Sequence, residues 1–232
     1  MFDRLKKAFA TTEVSVSPSA VDSAVSRWAA TKGFGFTDAA SAGDSNENCF
    51  SLTGNIGHKP WRLDCGKSSR DYIRGDEIRA RAELQLNDAV SVLVINRALK
   101  ESLEKRAYAM YTDTLQTIAE ASLPEEMRWL AMYPEAHWDS LPPEFWERYS
   151  VSAEKRDQAM AWIDPQLAGL LMNWPRPATN AQVPLILMIR RGKAYLRMQY
   201  TPADIPTLAH AAQIFTYACE LGVSGLTADV TD

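Results

Sequence analysis

The residues with the most chemical potential are three cysteines (Cys49, Cys65, Cys219) and three histidines (His58, His137, His210) in a chain of 232 residues. His137-Trp-Asp139, with His210 far downstream, has the residue types of a two-histidine, one-carboxylate iron site. Such sites usually sit on barrel strands. Here both flanks read as helical and proline-punctuated, and His210 falls within a helix. Cys49, His58 and Cys65 could hold zinc only with a fourth ligand, and their spacing is unlike ordinary zinc modules. Cys65 with His58 seven residues upstream is compatible with a thiol–imidazole pair but carries no signature of one. There is no G-x-S-x-G elbow. The carboxylate pairs Glu125/Glu126 and Glu144/Glu147 fall in helix first turns, where the positive end of the helix dipole accounts for them. No catalytic residue, metal or cofactor is therefore assigned.

Two glycine-bearing stretches look like ligand motifs and fail on context. Lys32-Gly-Phe-Gly-Phe36 matches the first five positions of an RNA-recognition strand, in which aromatics stack on bases. Thr37 and Ala39 then replace the expected valine and aromatic, and the stretch reads as a helix stop entering a loop. Gly66-Lys-Ser-Ser69 has the end of a phosphate-binding loop, but Trp61 stands where its first glycine belongs.

Charge layout is the stronger signal. Residues 59–81 carry seven basic residues against four acids, and residues 165–203 carry five and none. Residues 112–164 carry eleven acids against four bases. The strand-bearing segments are thus basic and the intervening segment acidic. Either the two dock on each other, or the basic face recruits an acidic partner or anionic ligand. Arg79 and Arg81 alternate along one strand and share a face. With Trp61, Arg62 and Arg197 they are the candidate binding residues. Trp129, Trp138, Trp146 and Trp162 would either line an aromatic groove or fill a core.

These side chains need a frame. Asp76–Tyr108 is the clearest stretch: Ile78, Ala80, Ala82, Leu84 and Leu86 alternate with charged and polar residues. Asn87-Asp88 suits a tight turn, and Val90–Ile95 would return as the second arm of a hairpin. That pairing sets Leu93 beside Ala82 and Ile95 beside Ala80, with Val92 and Val94 on the charged face. Asn96 would cap a helix bearing Leu99 and Leu103. Before it, a helix over 20–32 ends at Gly33, 34–48 reads as a loop, and 49–54 and 59–65 read as strands about Gly57. From Tyr108 to Trp174 the expectation is all helix, with caps at Ser122, Ser152 and Asp164. Strands 185–190 and 194–200 follow, then a helix capped by Asp204 and ended by Gly222.

The order is helix, four strands, helices, two strands, helix. It predicts an α+β domain over 19–222: a mainly antiparallel sheet of about six strands, helices on one face, and a helical insertion at about 108–175. Residues 1–18 and 223–232 are expected to be tails, and amphipathic Met1–Ala10 a weak membrane or partner contact. The order of elements resembles that of the type III secretion chaperones, which run helix, three strands, helix, two strands, helix.

A net charge of −4 offers nothing global to nucleic acid or anionic membrane. Three widely spaced cysteines favour a reducing, cytoplasmic setting, and no apolar run is long enough to span a bilayer. The expected class is a non-enzymatic adaptor or chaperone-like binder, with an acidic protein partner or a second copy of itself. The alternative is a ligand binder or enzyme with a pocket between sheet and insertion.

Overall fold

A computed structural model describes residues 18–38, 48–113, 125–175 and 183–226. Met1–Ala10, the Leu115–Ala119 stripe and the Ser122 cap lie outside them. The described strands are β1 Gly35–Asp38, β2 Asn48–Ile56, β3 Lys59–Lys67, β4 Asp76–Glu83, β5 Ser91–Asn96, β6 Glu135–Ala136, β7 Tyr149–Ala153, β8 Leu185–Arg190 and β9 Lys193–Tyr200. The helices are α1 Pro18–Thr31, α2 Arg97–Asp113, α3 Glu125–Met132, α4 Pro143–Arg148, α5 Arg156–Trp162, α6 Pro165–Met172 and α7 Ile205–Gly225. The strands form one open antiparallel sheet in the order β1-β2-β3-β4-β9-β8-β5-β7-β6.

Period-two alternation gives every strand an inner and an outer side. One inner row crosses the whole sheet: Phe36, Leu52, Leu63, Ala80, Leu196, Leu187, Val94, Val151 and Ala136. α1, α5, α6 and α7 pack on this side through Ala29, Trp162, Leu171, Leu208 and Phe215, all buried. Each such leucine or phenylalanine contributes about 1.5–3 kcal/mol by leaving water. α7 starts where Asp204 accepts hydrogen bonds from Thr207 N and Thr207 Oγ1, with Pro206 in the first turn. α6 starts the same way, Asp164 accepting from Leu167 N at 2.7 Å ahead of Pro165.

The outer side is divided. Over β8 and β5, Ile186, Met188, Leu93 and Ile95 are covered by Leu99 and Leu103 of α2 and Met127 and Trp129 of α3. Over β3, β4 and β9 the outer positions are Arg62, Asp64, Arg79, Arg81, Tyr195 and Arg197. Helices therefore lie on both faces, where one was expected.

The α+β class and the antiparallel sheet match the reading of the sequence, but the sheet is larger. β1 occupies part of the expected loop. β6 and β7 lie in the segment expected to be all helix, and β7 pairs with β5, so the segment is built into the sheet. Ser152 is in β7 and caps nothing; α5 begins at Arg156. Tyr149-Ser-Val-Ser-Ala153 alternates apolar and polar residues, a period-two signal that the all-helix expectation for this segment passes over, and its serines are buried along with its apolar residues.

The largest correction concerns β4 and β5, which do not form a hairpin. The β8–β9 hairpin stands between them. Asn87-Asp88 does turn the chain, Val90 N donating to Asn87 O at 3.0 Å, but Leu84 N bonds Gly192 O at the β8–β9 tip instead. Arg191 and Gly192, at φ +49° and +72°, make the tight turn that lets this hairpin insert. The faces invert as a result: Val92 and Val94 share the inner side with Ala80, and Leu93 and Ile95 point outward under α2 and α3. The expected pairing would have set Val92 against Glu83 and Val94 against Arg81. The observed order places β9, with Lys193, Tyr195, Arg197 and Gln199 on its outer side, between the charged and apolar parts.

Two smaller differences follow from tertiary contact. Asn96 Oδ1 accepts from Leu185 N, binding β5 to the start of β8. Gly222 does not end α7, which runs to Gly225; a Cβ there would meet Ile189 Cδ1 at 3.1 Å and Leu84 Cδ1 at 3.2 Å.

Candidate functional site

Four of the five sequence candidates converge on the outer side of the sheet. Arg62 of β3 is paired with Arg81 of β4, and Arg79 of β4 with Arg197 of β9. These two adjacent rows lie on the half that α2 and α3 leave uncovered. Trp61 is elsewhere. It alternates inward, is 3% exposed, and packs its ring against Phe34 and Phe215 at centroid distances of 4.9 and 6.3 Å.

Where the open half meets α3 there is a cleft of about 360 Å3. Six arginines line it (Arg70, Arg79, Arg81, Arg190, Arg191, Arg197) against two carboxylates, Asp64 and Glu126. Its apolar wall is Ile186, Met188, Trp129 and Tyr195. Two guanidinium groups cover aromatic faces, Arg190 over Trp129 at 4.7 Å and Arg81 over Tyr195 at 5.9 Å.

The floor is a buried ionic network. Glu77 is fully buried on the outer side of β4, beneath the 68–75 connection. It accepts from Ser68 Oγ at 2.7 Å and pairs with Arg79 Nε at 3.3 Å. Glu126 of α3 accepts from Arg70 Nε at 2.8 Å. Burial works against the Arg70 charge, and the Glu126 hydrogen bond and charge, with Tyr72, together outweigh it, leaving its pKa raised. Arg197 Nη1 lies 4.0 Å from Glu77 and 3.7 Å from Glu126, too far for hydrogen bonds, and this buried atom has no acceptor. Burial, and then the Glu126 charge, push the Tyr72 phenol upward.

The acidic segment and the basic face therefore meet, through Glu126. That contact neutralises part of the charge and leaves the cleft with an arginine excess. On the open face Arg62 bonds Asp64 at 2.7 Å and Ser51 at 3.0 Å, and Arg81 and Lys193 share Glu83. Asp64 and Glu83 are themselves partly exposed, so these pairs are weak and exchangeable.

The other candidate constellations do not assemble. His137 stacks on Trp146 at 4.3 Å, and His210 Nε2 meets Leu170 O at 2.8 Å. His58 sits at the β2–β3 turn, while Cys49 and Cys65 lie at the far end of that hairpin, about 20 Å off at strand rise. A bulge at Asn48/Phe50 brings Cys49 beside Cys65. Among the described residues no group of three His, Cys, Asp or Glu is placed to hold a metal. Phe34 and Phe36 are half-buried and pack against the core. Trp138, Trp146 and Trp162 fill the core, and Trp129 reaches the cleft.

Arg70, Arg190, Arg191, Tyr195 and Glu77 were not among the sequence candidates, Trp129 was read as groove or core, and Glu126 only as a helix first-turn carboxylate. Alternation in β9 puts Tyr195 and Arg197 on one side, and that much was readable. That β9 lies against β4, which joins Arg197 to Arg79, was not.

No protein-family model matches this sequence, and no curated protein matches it. Among solved structures, the crystal structure of the mycobacterial trehalose monomycolate transport factor A, TtfA, aligns with a TM-score of 0.46 and 9% identity. The alignment covers 87% of this chain and 94% of that one. No helix among the described residues is long and apolar enough to cross a membrane.

Proposed function

We propose that this protein is a non-enzymatic binding module that docks an acidic protein partner on the open half of its sheet. The observation that carries the reading is the pair of adjacent arginine rows, Arg62–Arg81 and Arg79–Arg197, running into a cleft lined by six arginines and two carboxylates. Such a face focuses positive potential, speeds encounter with an acidic surface, and loses that advantage in salt. Three cysteines, none of them in a disulfide, support a reducing, cytoplasmic setting. A second copy, through its acidic segment, has the right sign to be the partner. The volume of the cleft, at the lower end of the range for ligand pockets, favours a small anionic ligand as the second reading.

The test is anisotropy of a fluorescein-labelled Glu-Ser-Glu-Ser-Glu peptide on the full chain, with light scattering at low and high salt. Binding that weakens with salt and is lost in Arg62→Glu/Arg81→Glu is expected. Equal binding by both forms, or none at low salt, overturns the reading. A salt-sensitive dimer would identify the second copy as the partner.

A further inference from the structure

Resting on that reading, we propose that the cleft between the sheet and α3 is a recognition pocket for an extended peptide of the partner in which a carboxylate stands two residues from an aromatic or branched apolar side chain. An acidic surface alone would need only the arginine rows. The cleft adds a second chemistry in register with the first. Arg197 is paired with Ile186, and Tyr195 with Met188. A guanidinium and an apolar side chain therefore stand one strand apart, about 4.8 Å, and from β4 to β8 the step is about twice that. Side chains i and i+2 of an extended peptide lie on one side at about 6.8 Å, between those two spacings.

The floor suits a carboxylate. Arg79, Arg70 and Arg197 outnumber Glu77 and Glu126, and all three side chains line the cleft and stay partly exposed, so a ligand oxygen there gains a charge-assisted bond. The wall suits an apolar neighbour. Tyr195 is half-buried, and Trp129 and Met188 behind it are already part of the outer apolar cluster, so an incoming ring extends a surface that is largely desolvated. The guanidinium groups of Arg81 and Arg190, lying over aromatic rings, keep both chemistries at one rim.

The experiment compares three labelled peptides on the full chain: Ser-Glu-Ser-Phe-Ser-Glu-Ser, the same peptide with serine for phenylalanine, and the same with glutamines for glutamates. The first is expected to bind about tenfold tighter than the second, with the third not binding. Tyr195→Ser should remove the preference for phenylalanine and keep the weak acidic binding; Arg197→Gln should weaken both acidic peptides. Equal binding of the first two overturns the pocket and leaves the acidic-partner reading standing. Failure of both overturns that reading as well. A second measurement needs no variant: benzoylphenylalanine in place of the phenylalanine should cross-link to residues 126–129 or 186–197 of the unaltered protein. Cross-links confined to other segments overturn the pocket.

Discussion

Glu77→Gln tests whether the cleft floor is a buried ionic network. The carboxylate is wholly buried, and glutamine keeps its shape and an acceptor for Ser68 Oγ, so the change removes charge and little else. What is lost is attraction to Arg79 at 3.3 Å and to Arg197 at 4.0 Å. Removing one partner of a buried pair destabilises by about 3–5 kcal/mol, because the other charge is left behind. Here the arginine side chains are 33% and 22% exposed and can recover some hydration, which lowers the expectation to about 2–4 kcal/mol. For a chain of this size that is roughly 5–15 °C in Tm. Urea unfolding and calorimetry would read it, at about 0.1 M and 1 M salt, where a buried pair is screened little. Glu83→Gln is the control, since its carboxylate is 45% exposed and its pairs are worth about 0–1 kcal/mol. The substitution also makes the cleft more positive by one charge, so acidic peptides should bind more tightly to the less stable protein. A loss within about 0.5 kcal/mol, the usual range for surface substitutions, would refute the network.

Other consequences follow from the core. Tyr149 Oη donates to Leu171 O at 2.8 Å and accepts from Trp174 Nε1 at 3.2 Å, so Tyr149→Phe strands two buried groups and should cost about 1–3 kcal/mol in urea unfolding at neutral pH. Burial pushes that phenol up to about 12 from an unfolded value of 10, which favours the neutral form in the folded state. Its contribution is therefore complete below pH 10 and is lost as pH rises toward 12, so the parent should lose stability across that window more steeply than Tyr149→Phe. Gly54 lies across from Trp61, and an added Cβ would stand 2.6 Å from the indole Nε1. Gly54→Ala should lower the free energy of urea unfolding by about 1–3 kcal/mol and shift tryptophan emission. Burial raises the Cys65 and Cys219 thiols, so iodoacetamide at pH 8 should label them only in denaturant, by mass spectrometry.

The sequence by itself determined the local units. Alternation in Ile78–Ala82 and in Ala194–Tyr200, the caps at Asp164 and Asp204, and Gly33 at φ +71° are set by neighbours a few residues away, and all are present. It also placed Arg79 and Arg81 on one side of one strand. Tertiary structure decided what those units lie against. A short turn at Asn87 is compatible with a hairpin, but β5 is apolar on both sides, and a strand of that kind is stable only where both sides are covered. It therefore joins β8 and β7 under α2 and α3, and β4, charged on its outer side, remains at the open half beside β9. The same step carries Arg197 to Arg79 and Glu126 to Arg70, across separations of 118 and 56 residues. No spacing rule reaches that far, because which strands adjoin depends on burying every apolar side at once, a property of the whole chain.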